Sequence, residues 1–167
     1  MALAGQIIKY IIDKQSDDFF TKKITEFKGT CFASNSDHEI YGELGIVNEF
    51  KYLTFTIMGP LKVHVHHGCK LYFESANETV EIESDSLEIQ TDYSKKLQLG
   101  MTAFDIDLTV ELENTLRNEN ISSIKIVINK TTLLFECNKA NMIEILNTVI
   151  EHDETEMGNE NMDPFGL

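Results

Sequence analysis

The chain is short of arginine, proline and paired cysteines, and it lacks a long hydrophobic run. Its 167 residues include two prolines and a single arginine, Arg117. So few prolines exclude collagen-like and proline-rich classes. No stretch approaches the roughly 20 apolar residues that cross a bilayer, so no transmembrane helix is predicted. The rest of the composition, 42% apolar and 25% charged, is typical of a globular domain with its own core.

Basic charge is scarce. The chain has 14 basic and 28 acidic residues, which gives a formal net charge of -14. Nucleic-acid binders neutralise phosphates with clustered lysine and arginine, and anionic membranes attract basic segments. We therefore expect neither a nucleic acid nor a membrane as a partner. The acidic surface suits solvation, a basic partner or cations.

The three cysteines, Cys31, Cys69 and Cys137, form no CxxC motif, and their number is odd. The N-terminus lacks a basic leader, and Lys9 interrupts its apolar run, so no signal peptide is predicted. Together these features predict a cytoplasmic protein with reduced thiols.

Helical spacing marks both ends of the chain. Residues 2–13 show helical spacing first. A helix-start signal at Ser16 then precedes a second helical stretch that ends near Phe27. The two stretches predict one broken helix or a helical pair. A C-terminal helix begins at Asn138 or Asn141. Its predicted apolar face consists of Met142, Ile143, Leu146, Val149 and Ile150.

Between the helices, apolar and polar residues alternate in short runs separated by tight turns. The clearest run extends from Phe104 to Leu112. Such short connections require antiparallel pairing, because parallel strands need long crossovers. The sequence predicts a mainly β (α+β) chain: a single antiparallel β-sandwich or barrel of about nine or ten strands, flanked by helices. The predicted boundaries are 1–28 for the N-terminal helical segment, 29–152 for the β domain with its C-terminal helix, and 153–167 for a disordered acidic tail.

Strands followed by one amphipathic C-terminal helix, over about residues 68–152, resemble the layout of pleckstrin-homology-like barrels. The resemblance implies a barrel with one end covered by that helix. Phosphoinositide-binding members of that family carry a basic cluster in an early hairpin loop. The corresponding loops here, 74–78 and 83–85, are acidic, so lipid binding is not expected.

The segment His64-Val65-His66 places two imidazoles on one face of a strand, about 7 Å apart. Such a pair can share zinc or iron, and Glu74 across the following hairpin is the predicted third ligand. With Gly59, this string resembles the first motif of cupins, which implies a metal-dependent enzyme. The alternative is a polar row facing solvent. Further acids on polar strand positions are Asp105, Asp107, Glu111 and Glu113, with Glu81, Glu83 and Glu88 on neighbouring strands. Paired carboxylates can bind Ca²⁺ or Mg²⁺ or divide acid and base roles, but solubility alone also predicts them.

No sequence motif for a catalytic nucleophile, a nucleotide or a cofactor is present, so no catalytic residue is predicted. The candidates for partner binding are Ile7 and Ile11 in the N-terminal helix, and Phe165 and Leu167 at the end of the tail. The tail string Asp163-Pro164-Phe165 resembles the short motif that endocytic adaptor appendages recognise.

The function that these observations predict is a non-enzymatic cytoplasmic module for protein binding or assembly. Two alternatives are a cupin-like metal enzyme that uses His64 and His66 with zinc or iron, and a structural subunit. The structural subunit would oligomerise through strand edges or through the N-terminal helix.

Overall fold

Most of the stretches in which apolar and polar residues alternate form strands in a computed structural model, which describes residues 2–150. The predicted tail, with Phe165 and Leu167, lies outside the described residues, as does the side chain of Ile7. The helices are α1 (Ala2–Thr25), α2 (Val110–Asn118) and α3 (Lys139–Asn147). The strands are β1 (Thr30–Ser34), β2 (Glu39–Val47), β3 (Phe50–Gly59), β4 (His64–Val65), β5 (Lys70–Glu74), β6 (Thr79–Glu83), β7 (Ile89–Gln90), β8 (Asp92–Ser94), β9 (Leu99–Asp107), β10 (Ser123–Ile128), β11 (Thr131–Cys137) and β12 (Val149–Ile150).

Over the described residues, the strands form one large sheet and one small ribbon. The large sheet has the order β6-β5-β10-β11-β1-β2-β3-β9-β8, with every neighbouring pair antiparallel, and β12 joins β2 in parallel. The ribbon pairs β4 with β7. The predicted mainly β, antiparallel fold is confirmed.

The large sheet folds back over itself. Phe55 of β3 and Phe73 of β5 are five strands apart in the sheet order, which would be about 24 Å in a flat sheet. Their ring centroids are nevertheless 6.4 Å apart, and both rings are fully buried. The pairing path stays open at β6 and β8. Of the two predicted arrangements, the sandwich-like one therefore fits, and a closed barrel does not.

The N-terminal helical residues form one continuous helix, α1, instead of a helix broken at Ser16. Ser16 follows a run of helix-compatible residues with no glycine or proline nearby, so the backbone continues through it. In the part of the chain that the structure describes, no helix combines the length and apolar character needed to span a membrane.

The predicted strand from Phe104 to Leu112 is wrong beyond Asp107. β9 ends at Asp107, and the Thr109 side chain accepts a hydrogen bond from the Leu112 amide, which caps α2. Val110 is 77% exposed, although strand parity predicted it to be buried. Leu112 and Leu116, one helical turn apart, are the residues of α2 that enter the core.

The C-terminal helix α3 begins as predicted, with the Asn138 side chain accepting from the Asn141 amide. It ends earlier than predicted. Val149 and Ile150 belong to β12, where they pair with Leu44 and Gly45 of β2. They are therefore not part of the apolar face of the helix. The buried side chains of α3 are Met142, Ile145 and Leu146.

The single arginine joins α2 to α3. Arg117 Nε donates to Glu113 at 2.9 Å, and its terminal nitrogens donate to the Asn147 side chain and the Leu146 carbonyl. Lys51 donates to the same Glu113 carboxylate at 3.0 Å, and this hydrogen bond is the main reason that the pKa of Glu113 is lowered. The role of Arg117 in this structure is to hold two helices together.

Candidate functional site

A short hydrogen-bonded ribbon positions the two histidines that the sequence singled out. In this histidine ribbon, residues 63–68 run antiparallel to residues 87–91. Val65 pairs with Ile89, and both side chains are buried in the core. Because side chains alternate along a strand, the burial of this pair turns His64 and His66 outward.

Hydrogen bonds hold both ends of the histidine ribbon. At one end, the Thr91 amide donates to the Val63 carbonyl at 2.8 Å, and the Val63 amide donates to Thr91 Oγ1 at 2.9 Å. At the other end, the Gly68 amide donates to the Leu87 carbonyl at 2.7 Å. Gly68 has φ +72°, and a Cβ there would lie 2.5 Å from Ser84 Oγ, so this turn requires glycine.

On the outer face of the histidine ribbon, His64 and His66 meet Glu88. Continuing the register of β4 and β7 places Glu88 directly across from His66. His64 Nε2 lies 3.6 Å from Glu88 Oε1, and His66 Nδ1 lies 3.8 Å from Glu88 Oε2. One ligand atom from each of the three residues lies within 4.8 Å of the other two. The three side chains are 47% to 65% exposed.

Glu74, the predicted third ligand, does not belong to this group. It ends β5, and its Oε2 accepts from Ser123 Oγ at 2.9 Å, on the pairing with β10. The residue that sequence reasoning missed in this role is Glu88. Its position on the polar side of the Leu87–Ile89 run was visible in the sequence, but the pairing of that run with residues 64–66 was not.

The three cysteines lie outside the histidine cluster and are free thiols. Burial raises the pKa of Cys69 and of Cys137 to about 11, and it also raises the pKa of Cys31. These thiols stay protonated near neutral pH, which makes them poor nucleophiles and poor metal ligands.

A second candidate surface lies on α1, which is attached to the sheet through its C-terminal part. Lys23 contacts Asp92 of β8 at 2.6 Å, and Thr21 hydrogen-bonds Ser94. The Lys95 amide donates to Asp17, and Ile24 is buried. Residues 17, 21 and 24 share one helix face, which is the face turned to the domain.

Four large apolar side chains of α1 point away from that face. We call them the outer stripe: Ile8, Ile11, Ile12 and Phe19, which are 48% to 63% exposed. At about 100° per residue, the outer stripe and the docked face lie on opposite sides of the helix. The described side chains from Ile11 to Ser16 are all exposed, so this part of α1 projects from the domain.

Of the four predicted partner-binding residues, Ile11 lies in the outer stripe. The side chain of Ile7 and the tail residues Phe165 and Leu167 lie outside the described residues. Sequence reasoning did not single out Phe19, although it follows Ile12 by seven residues, two helical turns, and was therefore detectable from spacing.

No family model, no curated protein and no solved structure matches this chain.

Proposed function

We propose that the protein is a non-enzymatic assembly module that pairs with a second copy of itself through the outer stripe of α1. The observation that carries this proposal is the position of the stripe. Its four apolar side chains are exposed on the helix face opposite the domain. As long as α1 stays straight, the domain cannot bury them, and only a second molecule can. A contiguous exposed apolar surface of this kind is typical of an interaction site.

The distribution of charge favours a second copy over contact through the sheet. Residues 2–25 contain four lysines and three aspartates, a net charge of +1, which leaves -15 for the rest of the chain. Two copies that met through their β domains would bring two strongly negative surfaces together. Contact through α1 avoids this repulsion, because residues 2–25 carry almost no net charge.

The same repulsion favours an antiparallel pair. Each domain is attached to the C-terminal part of its own α1, so a parallel pair would place the two domains side by side. An antiparallel pair places them at opposite ends and also opposes the two helix dipoles favourably. Full overlap of the stripes sets Ile8 of one copy opposite Phe19 of the other, and Ile12 opposite Gln15.

The dimer should be weak and depend on concentration. Standard stable interfaces contain roughly 20 to 30 residues on each side, whereas the outer stripe offers four large side chains. We expect a monomer when the protein is dilute and a dimer when it is concentrated.

Sedimentation equilibrium of the full chain over a range of concentrations tests the proposal. Wild type should show a monomer–dimer equilibrium, and Ile8→Ala/Ile12→Ala should weaken dimerisation by at least about tenfold, because these side chains bury their surface only in the pair. Alanine preserves helix propensity. The matched control is Asp13→Ala/Lys14→Ala, which lies off the stripe in the same helix and leaves the net charge unchanged. A wild type that stays monomeric, or a control that dimerises as poorly as the isoleucine variant, would refute the proposal.

A charge pair tests the orientation. Ile12→Glu should abolish the dimer, and Ile12→Glu/Gln15→Lys should restore it in an antiparallel pair, where residue 12 of one copy faces residue 15 of the other. In a parallel pair, like charges face one another and the double variant stays monomeric.

Protonated cysteine thiols, and a sequence free of catalytic motifs, support the non-enzymatic part of the proposal. Free thiols also support the cytoplasm as its location. The closed barrel that the resemblance to pleckstrin-homology-like barrels implied is not formed, because the pairing path of the sheet stays open at β6 and β8.

A further inference from the structure

We propose that His64, His66 and Glu88 form a binding site for a divalent first-row transition ion such as Zn²⁺. This inference is independent of the assembly proposed above, because it concerns the histidine ribbon and not α1.

The donor set selects the class of ion. Two imidazole nitrogens and one carboxylate oxygen are ligands of intermediate softness, which suit zinc, copper, nickel, cobalt or iron. Calcium and magnesium prefer sites made of oxygen alone. The acidic residues elsewhere on the surface offer only oxygen, so the two imidazoles set this site apart from the general negative charge.

The distances are close to those of a real site. With zinc–ligand bonds of 2.0–2.1 Å, neighbouring ligand atoms of a tetrahedron are about 3.3–3.4 Å apart. Glu88 Oε1 lies 3.6 Å from His64 Nε2, Glu88 Oε2 lies 3.8 Å from His66 Nδ1, and one ligand atom from each of the three residues lies within 4.8 Å of the other two. The two imidazole ring centroids are 4.7 Å apart. Small rotations of exposed side chains are sufficient to bring the three donors onto one ion.

The backbone beneath the three residues is already in place. The buried Val65–Ile89 pair and the hydrogen bonds at both ends of the histidine ribbon fix its register. Binding therefore orders side chains only, and no backbone has to fold around the ion. This reduces the entropic cost of binding.

Three protein ligands leave at least one coordination position for water or for a donor from another molecule. The site lies on an open surface, and the cluster is 47% to 65% exposed. This exposure is suited to an ion that exchanges with solvent.

Isothermal titration calorimetry with ZnCl₂, on metal-free full-length protein, tests the site. Wild type should bind one Zn²⁺ per chain in the micromolar range, and His64→Ala, His66→Ala and Glu88→Gln should each weaken binding by at least about tenfold, since each removes one ligand. An excess of Ca²⁺ should not displace the zinc. Circular dichroism should show unchanged folding for all three variants, because the mutated side chains are exposed.

The chain provides a matched control in His67, an exposed histidine next to the cluster but not part of it. His67→Ala should bind Zn²⁺ as wild type does. The proposal is overturned if wild type shows no binding, if His67→Ala loses as much affinity as His66→Ala, or if Ca²⁺ displaces zinc at similar concentration. The last two results would indicate unspecific binding to an acidic surface carrying histidines. Titration with Co²⁺ in place of Zn²⁺ adds a spectroscopic readout, because imidazole and carboxylate ligation changes the visible absorption of Co²⁺.

Discussion

His38 is a buried histidine whose environment favours the neutral form. It is 8% exposed, and its Nε2 accepts a hydrogen bond from the Leu61 amide at 3.2 Å. An acceptor nitrogen cannot carry the proton, so the proton lies on Nδ1, which has no partner among the described residues. Burial lowers the pKa of His38 below its usual 6.5, against a smaller opposing effect of Asp37.

This environment predicts a loss of stability in mild acid. The unfolded chain protonates His38 at its ordinary pKa, whereas the folded chain resists protonation, so the unfolded state binds more protons below about pH 6.5. The free energy of unfolding should therefore fall as the pH drops from about 7 to about 5. Urea denaturation at a series of pH values measures this slope.

His38→Gln serves as the comparison, since the glutamine oxygen can accept from the Leu61 amide but cannot be protonated in this range. Its stability should change less between the same pH values. The lowered pKa of Glu113 acts in a separate window, because that carboxylate loses its contribution only as the pH falls below about 4.5. Parallel slopes for wild type and His38→Gln would show that His38 does not control the change.

At the scale of an element, the end of β9 shows where pattern reading works and where it stops. Strand parity correctly predicts that Ile106 and Leu108 are buried and that Asp107 is exposed. Leu112 is buried as a residue of α2, but it also falls on the position where strand alternation expects a buried residue. The alternation therefore continues through Leu112, and the sequence predicts a single strand. The cap at Thr109 and the acidic residues Glu111 and Glu113 in the first turn of α2 are the signals for the helix.

The parity in β9 leads to a test by substitution. Leu108 is 4% exposed, so Leu108→Ala should lower the free energy of unfolding by about 2–5 kcal/mol through lost burial and a cavity. Asp107→Asn should change it by no more than about 0.5 kcal/mol, as is usual at exposed positions. Urea denaturation of both variants checks the pair. A large effect at Asp107 with a small one at Leu108 would mean that the register is inverted.

The helices show the same division between local and tertiary information. α3 begins at Asn138, one of the two caps that the sequence predicts, because capping depends on nearby atoms only. Its end depends on a distant strand. Val149 and Ile150 leave the helix because β2 offers them a parallel pairing, and nothing within residues 138–150 signals that β2 is close.

At the scale of the whole molecule, negative charge opposes compactness and self-association alike. The 14 basic residues can pair with at most half of the 28 acidic ones, so a net charge of -14 remains even with ion pairs such as Lys51–Glu113 and Lys23–Asp92. Repulsion between exposed charges destabilises a compact state, and salt screens it.

Raising NaCl from about 10 to about 300 mM should therefore increase Tm by a few degrees, because the screening length falls from about 30 Å to less than 10 Å. Differential scanning calorimetry at fixed pH and protein concentration measures the change. A Tm that falls with salt would mean that the ion pairs outweigh the net repulsion.

The sequence by itself determined the class of fold, the burial pattern of individual strands and the outward direction of His64 and His66. These properties follow from period and composition, which act over a few residues. It also determined the acidic character of the chain, since net charge is a sum and needs no structure.

Only the tertiary structure decided which residues meet. Glu88 joins the histidines, and Glu74 pairs with Ser123, because β4 lies beside β7 while β5 lies beside β10. Likewise, the outer stripe of α1 is exposed because other residues of that helix contact β8. Strand pairing and helix docking join residues far apart in the chain, and several pairings of similar strands satisfy the same alternation. The pairing that forms brings distant residues such as Phe55 and Phe73 into one core, and local sequence does not encode such contacts.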